Sequence, residues 1–170
     1  MIDITLPNGD VKTFESGSTP MAVAKDISEG FARNVISASY NGETVETNTP
    51  LTESGSLILY TWKDDEGKKA FWHSTAHILA QALEELYPDV KLSIGPPIEN
   101  GFYYDIDAGD NTISEKDLPE IEKKMIEIAR GKHEFSMRSV SKKEALDFYK
   151  AQQNEYKIEL IENLEDGSIT

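Results

Sequence analysis

Near residue 63 the hydrophobic pattern of this chain changes its period, and that change limits what can fold on either side. Before it, apolar residues come in short alternating runs. Ile2, Ile4 and Leu6 take every second position, the repeat of a strand with one buried face. Pro7-Asn8-Gly9-Asp10 then reads as a turn, Asn-Gly being the strongest short hairpin signal, and Val11–Phe14 returns as the partner strand. Thr19 before Pro20 reads as an N-cap with proline at the first helical position. Met21, Ala24 and Ile27 continue at helical spacing. Val35–Tyr40, closed by Asn41-Gly42, and Leu57–Tyr60 are further β-rich segments. A hairpin, a helix and more strands are the order of a β-grasp fold, though periodicity alone also fits other small α+β domains.

Beyond residue 63 the repeat becomes helical. Lys63–Lys69 is a charged stretch, read as a linker or the start of a helix, and the helical pattern then runs from about Lys69 to Leu86 and stops before Pro88. Gly95-Pro96-Pro97 and Asn100-Gly101 mark turns, and Phe102–Ile106 is a β-prone aromatic run. Ser114 is read as the start of a second helix, with Leu118, Ile121, Met125 and Ile128 in one stripe and Gly131 as the stop. Ser141 with Glu144 is a capping box opening a third helix to about Ala151. From Tyr156 to Thr170 no closing element is evident, so the chain is expected to end within a domain. The division expected is residues 1–62 and 63–170, an α+β chain throughout.

Composition narrows the function classes. No apolar run approaches the roughly 20 residues that span a bilayer, and Met1–Leu6 lacks the basic and apolar segments of a signal peptide. There are no cysteines, which excludes disulfides and thiolate metal sites within these residues. A cytoplasmic protein is the default. With 17 basic against 31 acidic residues the net charge is −14, whereas a grip on nucleic-acid phosphates needs clustered Lys and Arg. Either nucleic acid is not the partner, or other parts of a longer protein hold most of it.

His73 and His77 are the pair that can carry chemistry. Four residues apart on the long helix, they share one face. On the same wheel Phe71, Thr75, Ile78, Leu79, Ala82, Leu83 and Leu86 form the expected core stripe, with the histidines roughly opposite. Ala70, Ser74, Ala76 and Ala80 surround them, small residues where a solvated face usually carries Lys and Glu, so this face is expected to floor a cleft. Two surface histidines on an alanine-rich helix are the bland alternative. His-x-x-x-His is also the spacing of helical zinc sites, but there Glu follows the first histidine as general base. Here Ser74 stands in that place, and only His133 and scattered carboxylates remain as further ligands. Without a metal, neutral imidazoles orient water, accept a proton or bond a ribose hydroxyl.

Three segments carry a resemblance. Phe71-Trp72-His73-Ser74-Thr75-Ala76-His77-Ile78-Leu79-Ala80 resembles the opening helix of the editing domain of the threonyl-tRNA synthetase family. The run Ile94-Gly95-Pro96-Pro97-Ile98-Glu99-Asn100-Gly101-Phe102-Tyr103-Tyr104-Asp105 is similar to that family's glycine-proline and aromatic signature. Asn154-Glu155-Tyr156-Lys157 resembles a third stretch, whose lysine lines the editing site, and residues 1–62 are similar to the small β-grasp domain called TGS. The resemblance implies hydrolysis of serine misattached to the 3′ end of tRNA(Thr). His73, His77 and Lys157 would be catalytic, and Tyr104, Asp105 and Gly95 would bind substrate. It implies no cofactor within these residues. ATP, magnesium and a zinc ion would serve an aminoacylation domain elsewhere in the parent protein, itself expected to be a homodimer. In that family the editing domain continues into a motif with a cysteine and another histidine, so the 170 residues alone are expected to edit poorly or not at all. A non-catalytic TGS-type regulatory module and a zinc-dependent hydrolase of the alanyl editing type are the alternatives.

Overall fold

Strand β1, Ile2–Thr5, buries every second residue, as its alternation requires, and a five-stranded sheet grows from it. In the computed structural model, which describes residues 1–131, 133, 138–165 and 169, the chain divides into two units, Met1–Trp72 and His73–Thr170.

In the first unit β2 (Val11–Phe14) returns antiparallel to β1, with Ile2 opposite Phe14. The hairpin turn places Gly9 at φ 87°, where a side chain would be strained. Helix α1 (Pro20–Ile27) begins as its sequence predicts, the Thr19 hydroxyl accepting the Ala22 N–H at 3.2 Å. A four-residue helix α2 (Glu29–Ala32) leads into β3 (Val35–Tyr40), which folds back on β4 (Glu43–Val45). Asn41 and Gly42 both have positive φ, 52° and 88°, as a type I′ turn demands. Asn41 also accepts the Ser56 N–H at 2.9 Å, tying this turn to β5 (Gly55–Thr61).

The sheet order is β2-β1-β5-β3-β4, with β1 and β5 parallel at its centre. This is the β-grasp order expected from hairpin, helix and strands. Ile2, Ile4, Leu6, Val23, Ala38, Leu51 and Leu57 form its core. Four of the largest wholly buried side chains, Ile4, Leu51, Leu57 and Val23, lie there, each burial contributing about 1.5–3 kcal/mol. Trp62, Phe71 and Trp72 meet edge to face, with ring centroids 5.0, 5.5 and 5.3 Å apart.

Helix α3 spans Asp65–Leu86 and opens four residues before the Lys69 start read from the sequence. The charged stretch is therefore mostly helix. Asp64 accepts the Thr61 N–H at 2.7 Å and its hydroxyl at 3.0 Å, and Asp65 and Glu66 lie in the first turn, where the helix dipole favours negative charge.

The second unit holds two short ribbons. One pairs β6 (Lys91–Leu92) with β9 (Ile106–Asp107), the other β7 (Pro97–Ile98) with β8 (Gly101–Phe102). The aromatic run is thus no continuous strand. It breaks between Phe102 and Ile106, and Tyr104 packs inward against the cluster of Ala80, Leu83, Leu92 and Ile121. Helix α4 is Leu118–Arg130, not a helix from Ser114. The Asp117 carboxylate accepts the Ser114 N–H and hydroxyl at 2.7 and 2.8 Å, so 114–117 is a turn, and Pro119 takes a first-turn position where no N–H is needed. Helix α5 (Lys142–Ala151) has the predicted cap, Ser141 accepting the Glu144 N–H at 3.2 Å. A further helix, α6 (Glu155–Glu162), lies where no closing element was evident, and Val140 bridges Ile169 beyond it. An eight-residue helix shows too few turns for periodicity to reveal it.

Gly67 gives the first unit a sharp constraint. A Cβ there would stand 2.1 Å from the Thr61 carbonyl oxygen, which is backbone and cannot swing aside. Gly67→Ala is expected to destabilise the unit by about 1–3 kcal/mol, read as a lower urea midpoint for Trp62 and Trp72 fluorescence. An unchanged midpoint would show that the helix start yields without strain.

Candidate functional site

Helix α3 presents both histidines to solvent, and their rings meet. The Nε2 atoms are 2.9 Å apart, with ring centroids 4.6 Å apart and planes at 77°. One Nε2 must donate and the other accept, so a single proton lies in the contact and the accepting neutral ring carries its own on Nδ1. A second proton would set two donors against each other.

The surroundings differ from the wheel drawn from sequence. Ala76, Ala80, Ala82 and Leu83 are buried, whereas Phe71, placed in the core stripe, is exposed. The packed face is therefore rotated toward the histidines, which stand on its shoulder, not opposite it. Ala76 and Ala80 are covered by packing and do not floor an open cleft. The cause is their size: alanine lets neighbouring elements close onto the helix.

Lys157 lies in the first turn of α6, half-buried, its N–H bonded to the Asn154 side-chain oxygen at 3.1 Å. Burial lowers the pKa of its ammonium, and the negative Glu84 opposes that effect. His77 titrates below an ordinary histidine because its ring is partly desolvated and because His73 and Lys157 add positive potential. His73, His77 and Lys157 thus form one electrostatic group.

Gly95 and Tyr104 are joined sterically, since a Cβ on Gly95 would meet the Tyr104 ring at 2.3 Å. Only glycine lets that ring lie so close. The Tyr104 hydroxyl has a raised pKa, from burial first and then from Tyr149 and Glu84. Asp105 is exposed, and its main chain bonds Ser93 and Ile94 at 2.9 and 2.8 Å, which holds the strand leading to Gly95. These bonds are backbone ones and do not carry the carboxylate toward the imidazoles.

Three contributors escaped the sequence reading. Glu84 acts on Lys157, Tyr104 and Tyr149. It follows His77 by seven residues, two helical turns on the same face, so the wheel held that signal. Tyr149, from α5, gave none. Asn154 is buried at 8% exposure, and Asn immediately before a helix is a cap signal in the sequence. Among the described residues no three His, Cys, Asp or Glu side chains stand together as a metal site. No helix there is long and apolar enough to cross a membrane.

Residues 2–61 match the TGS domain family. Over 170 residues the chain is 66% identical to the threonine–tRNA ligase of Flavobacterium johnsoniae, 62% to that of Flavobacterium psychrophilum and 49% to that of Cytophaga hutchinsonii. Each match covers 100% of this chain and 26% of the relative. The chain spans about a quarter of the length of the curated relatives it matches.

Replacing Lys157 by Met removes a positive charge near His77. The His77 midpoint is expected to move up toward that of an ordinary histidine, followed through its ring Hε1 resonance by NMR. A midpoint unmoved by the substitution would separate the two residues.

Proposed function

Taking the chain as the N-terminal quarter of bacterial threonine–tRNA ligases, with a TGS domain over residues 2–61, we propose that residues 63–170 belong to a proofreading domain that hydrolyses seryl-tRNA(Thr). The reason to need one is energetic. Serine differs from threonine by a methyl group, and a difference of that size gives only about 1–3 kcal/mol of discrimination in a binding pocket. A second site that clears the serine ester supplies the remaining accuracy.

The observation that carries the reading is the contact of two exposed imidazoles at 2.9 Å, with the half-buried Lys157 acting electrostatically on His77. In the proposed reaction the neutral pair takes a proton from water at the Nδ1 of the ring that donates in the contact, as the water oxygen attacks the serine carbonyl carbon. Negative charge gathers on the carbonyl oxygen, and the Lys157 ammonium stabilises it. The carbon–oxygen bond to the ribose then breaks, and the imidazolium returns its proton to the departing ribose oxygen. Free serine and tRNA result. The low pKa of His77 suits this role, because the ring is neutral and basic at neutral pH. Tyr104, held against Gly95, and Asp105 are the proposed substrate contacts.

Charging of tRNA with threonine, using ATP and magnesium, is assigned in this reading to the rest of the longer protein, along with any zinc site and homodimer interface. The same division accounts for −14 in a protein that handles RNA, since the basic surface would lie elsewhere. A TGS-type regulatory module without catalysis would leave the paired imidazoles without a task.

The test is His73→Ala with His77→Ala in the full-length ligase. Deacylation of seryl-tRNA(Thr) is expected to fall by at least about 100-fold, the lower range for a general base, while threonine charging stays intact. Undiminished deacylation would refute the proposal.

A further inference from the structure

Helix α6 needs a cap, and Asn154 supplies one by accepting the Lys157 N–H at 3.1 Å. Serine, threonine or aspartate would serve that purpose as well. The other end of the amide does something capping does not require. Its Nδ2 donates to the Leu92 carbonyl at 3.1 Å, a buried bond between residues 62 positions apart. The two partners fix the orientation of the amide, because one is a donor and the other an acceptor.

Leu92 belongs to β6 and packs with Ala80 and Leu83 of α3. A single buried side chain therefore runs from the strand packed on the histidine helix to the turn that carries Lys157. A second tie lies beside it. The Tyr156 hydroxyl donates to Asp107 at 3.0 Å, and Asp107 faces Lys91 across the β6–β9 ribbon. The Tyr156 bond is exposed, and water can replace it. The Asn154 bond is buried, and its loss leaves the Leu92 carbonyl unpaired away from solvent.

We propose that Asn154 is a positioning residue, which fixes the Lys157 ammonium beside His77 by tying the first turn of α6 to β6. This rests on the reading of Lys157 as a site residue. Lysine has four rotatable side-chain bonds, so its ammonium is placed only as well as its backbone is held. The groups that act on the same space are His73 and Glu84 from α3, Tyr104, and Tyr149 from α5.

The experiment uses the 170-residue chain and reads the His77 Hε1 titration by NMR. Asn154→Ala is expected to shift the midpoint up toward its value in Lys157→Met. In the Lys157→Met background the Asn154→Ala change is expected to add nothing, because there is no ammonium left to misplace. Asn154→Ser keeps the cap acceptor but is too short to reach Leu92. It is expected to shift the midpoint as well, which separates the strand tie from loss of the helix. A purely structural Asn154 would lower stability and leave His77 where it is. The proposal is overturned if both Asn154 variants keep the native midpoint while Lys157→Met moves it, or if Lys157→Met moves nothing. Loss of seryl-tRNA clearance is read separately, in the full-length ligase, so failure of the editing chemistry would not be mistaken for failure of this tie.

Discussion

Two imidazoles one helical turn apart can touch through like atoms only if they share a proton, and the proposed site depends on that contact. It needs a straight helix to hold His73 and His77 in register, with enough packing on the adjoining face to keep that helix still. Ala76, Ala80 and Leu83 provide the packing, and the small side chains bring neighbouring elements close to the pair. The proposed role of the pair as a base needs His77 to be neutral. Partial burial, His73 and Lys157 all act in that direction.

The charges around the pair oppose one another in a way that keeps the group workable. A lysine pressed toward an apolar interior loses its proton more easily, and Glu84 counters that by stabilising the charged form. Burial raises the hydroxyl pKa values of Tyr104 and Tyr149, and the same carboxylate adds to the effect.

Much of the first unit was legible because its signals are local. Asn41-Gly42 demands positive φ, Thr19-Pro20 specifies a helix start, and Ile2, Ile4 and Leu6 mark a buried face. The second unit was less so. The wheel for α3 assumed that large apolar residues define the core, so it gave Phe71 to the interior and Ala76 to the surface, and packing did the reverse. Helix α6 is short, and its start rests on Asn154, whose second bond reaches a strand 62 residues earlier. No periodicity encodes such a contact. His73, His77 and Lys157 are proposed from residue type and resemblance. Glu84 lies on the same wheel face, but a glutamate on a helix usually faces water, so the wheel alone does not mark it.

The proposed proofreading is tested most directly by the pH–rate profile for seryl-ester hydrolysis by the full-length protein. The rate is expected to rise with pH through the His77 midpoint measured in the same protein, then to level off once His77 is neutral. A rate that climbs steadily in proportion to hydroxide, with no break at that midpoint, would contradict it.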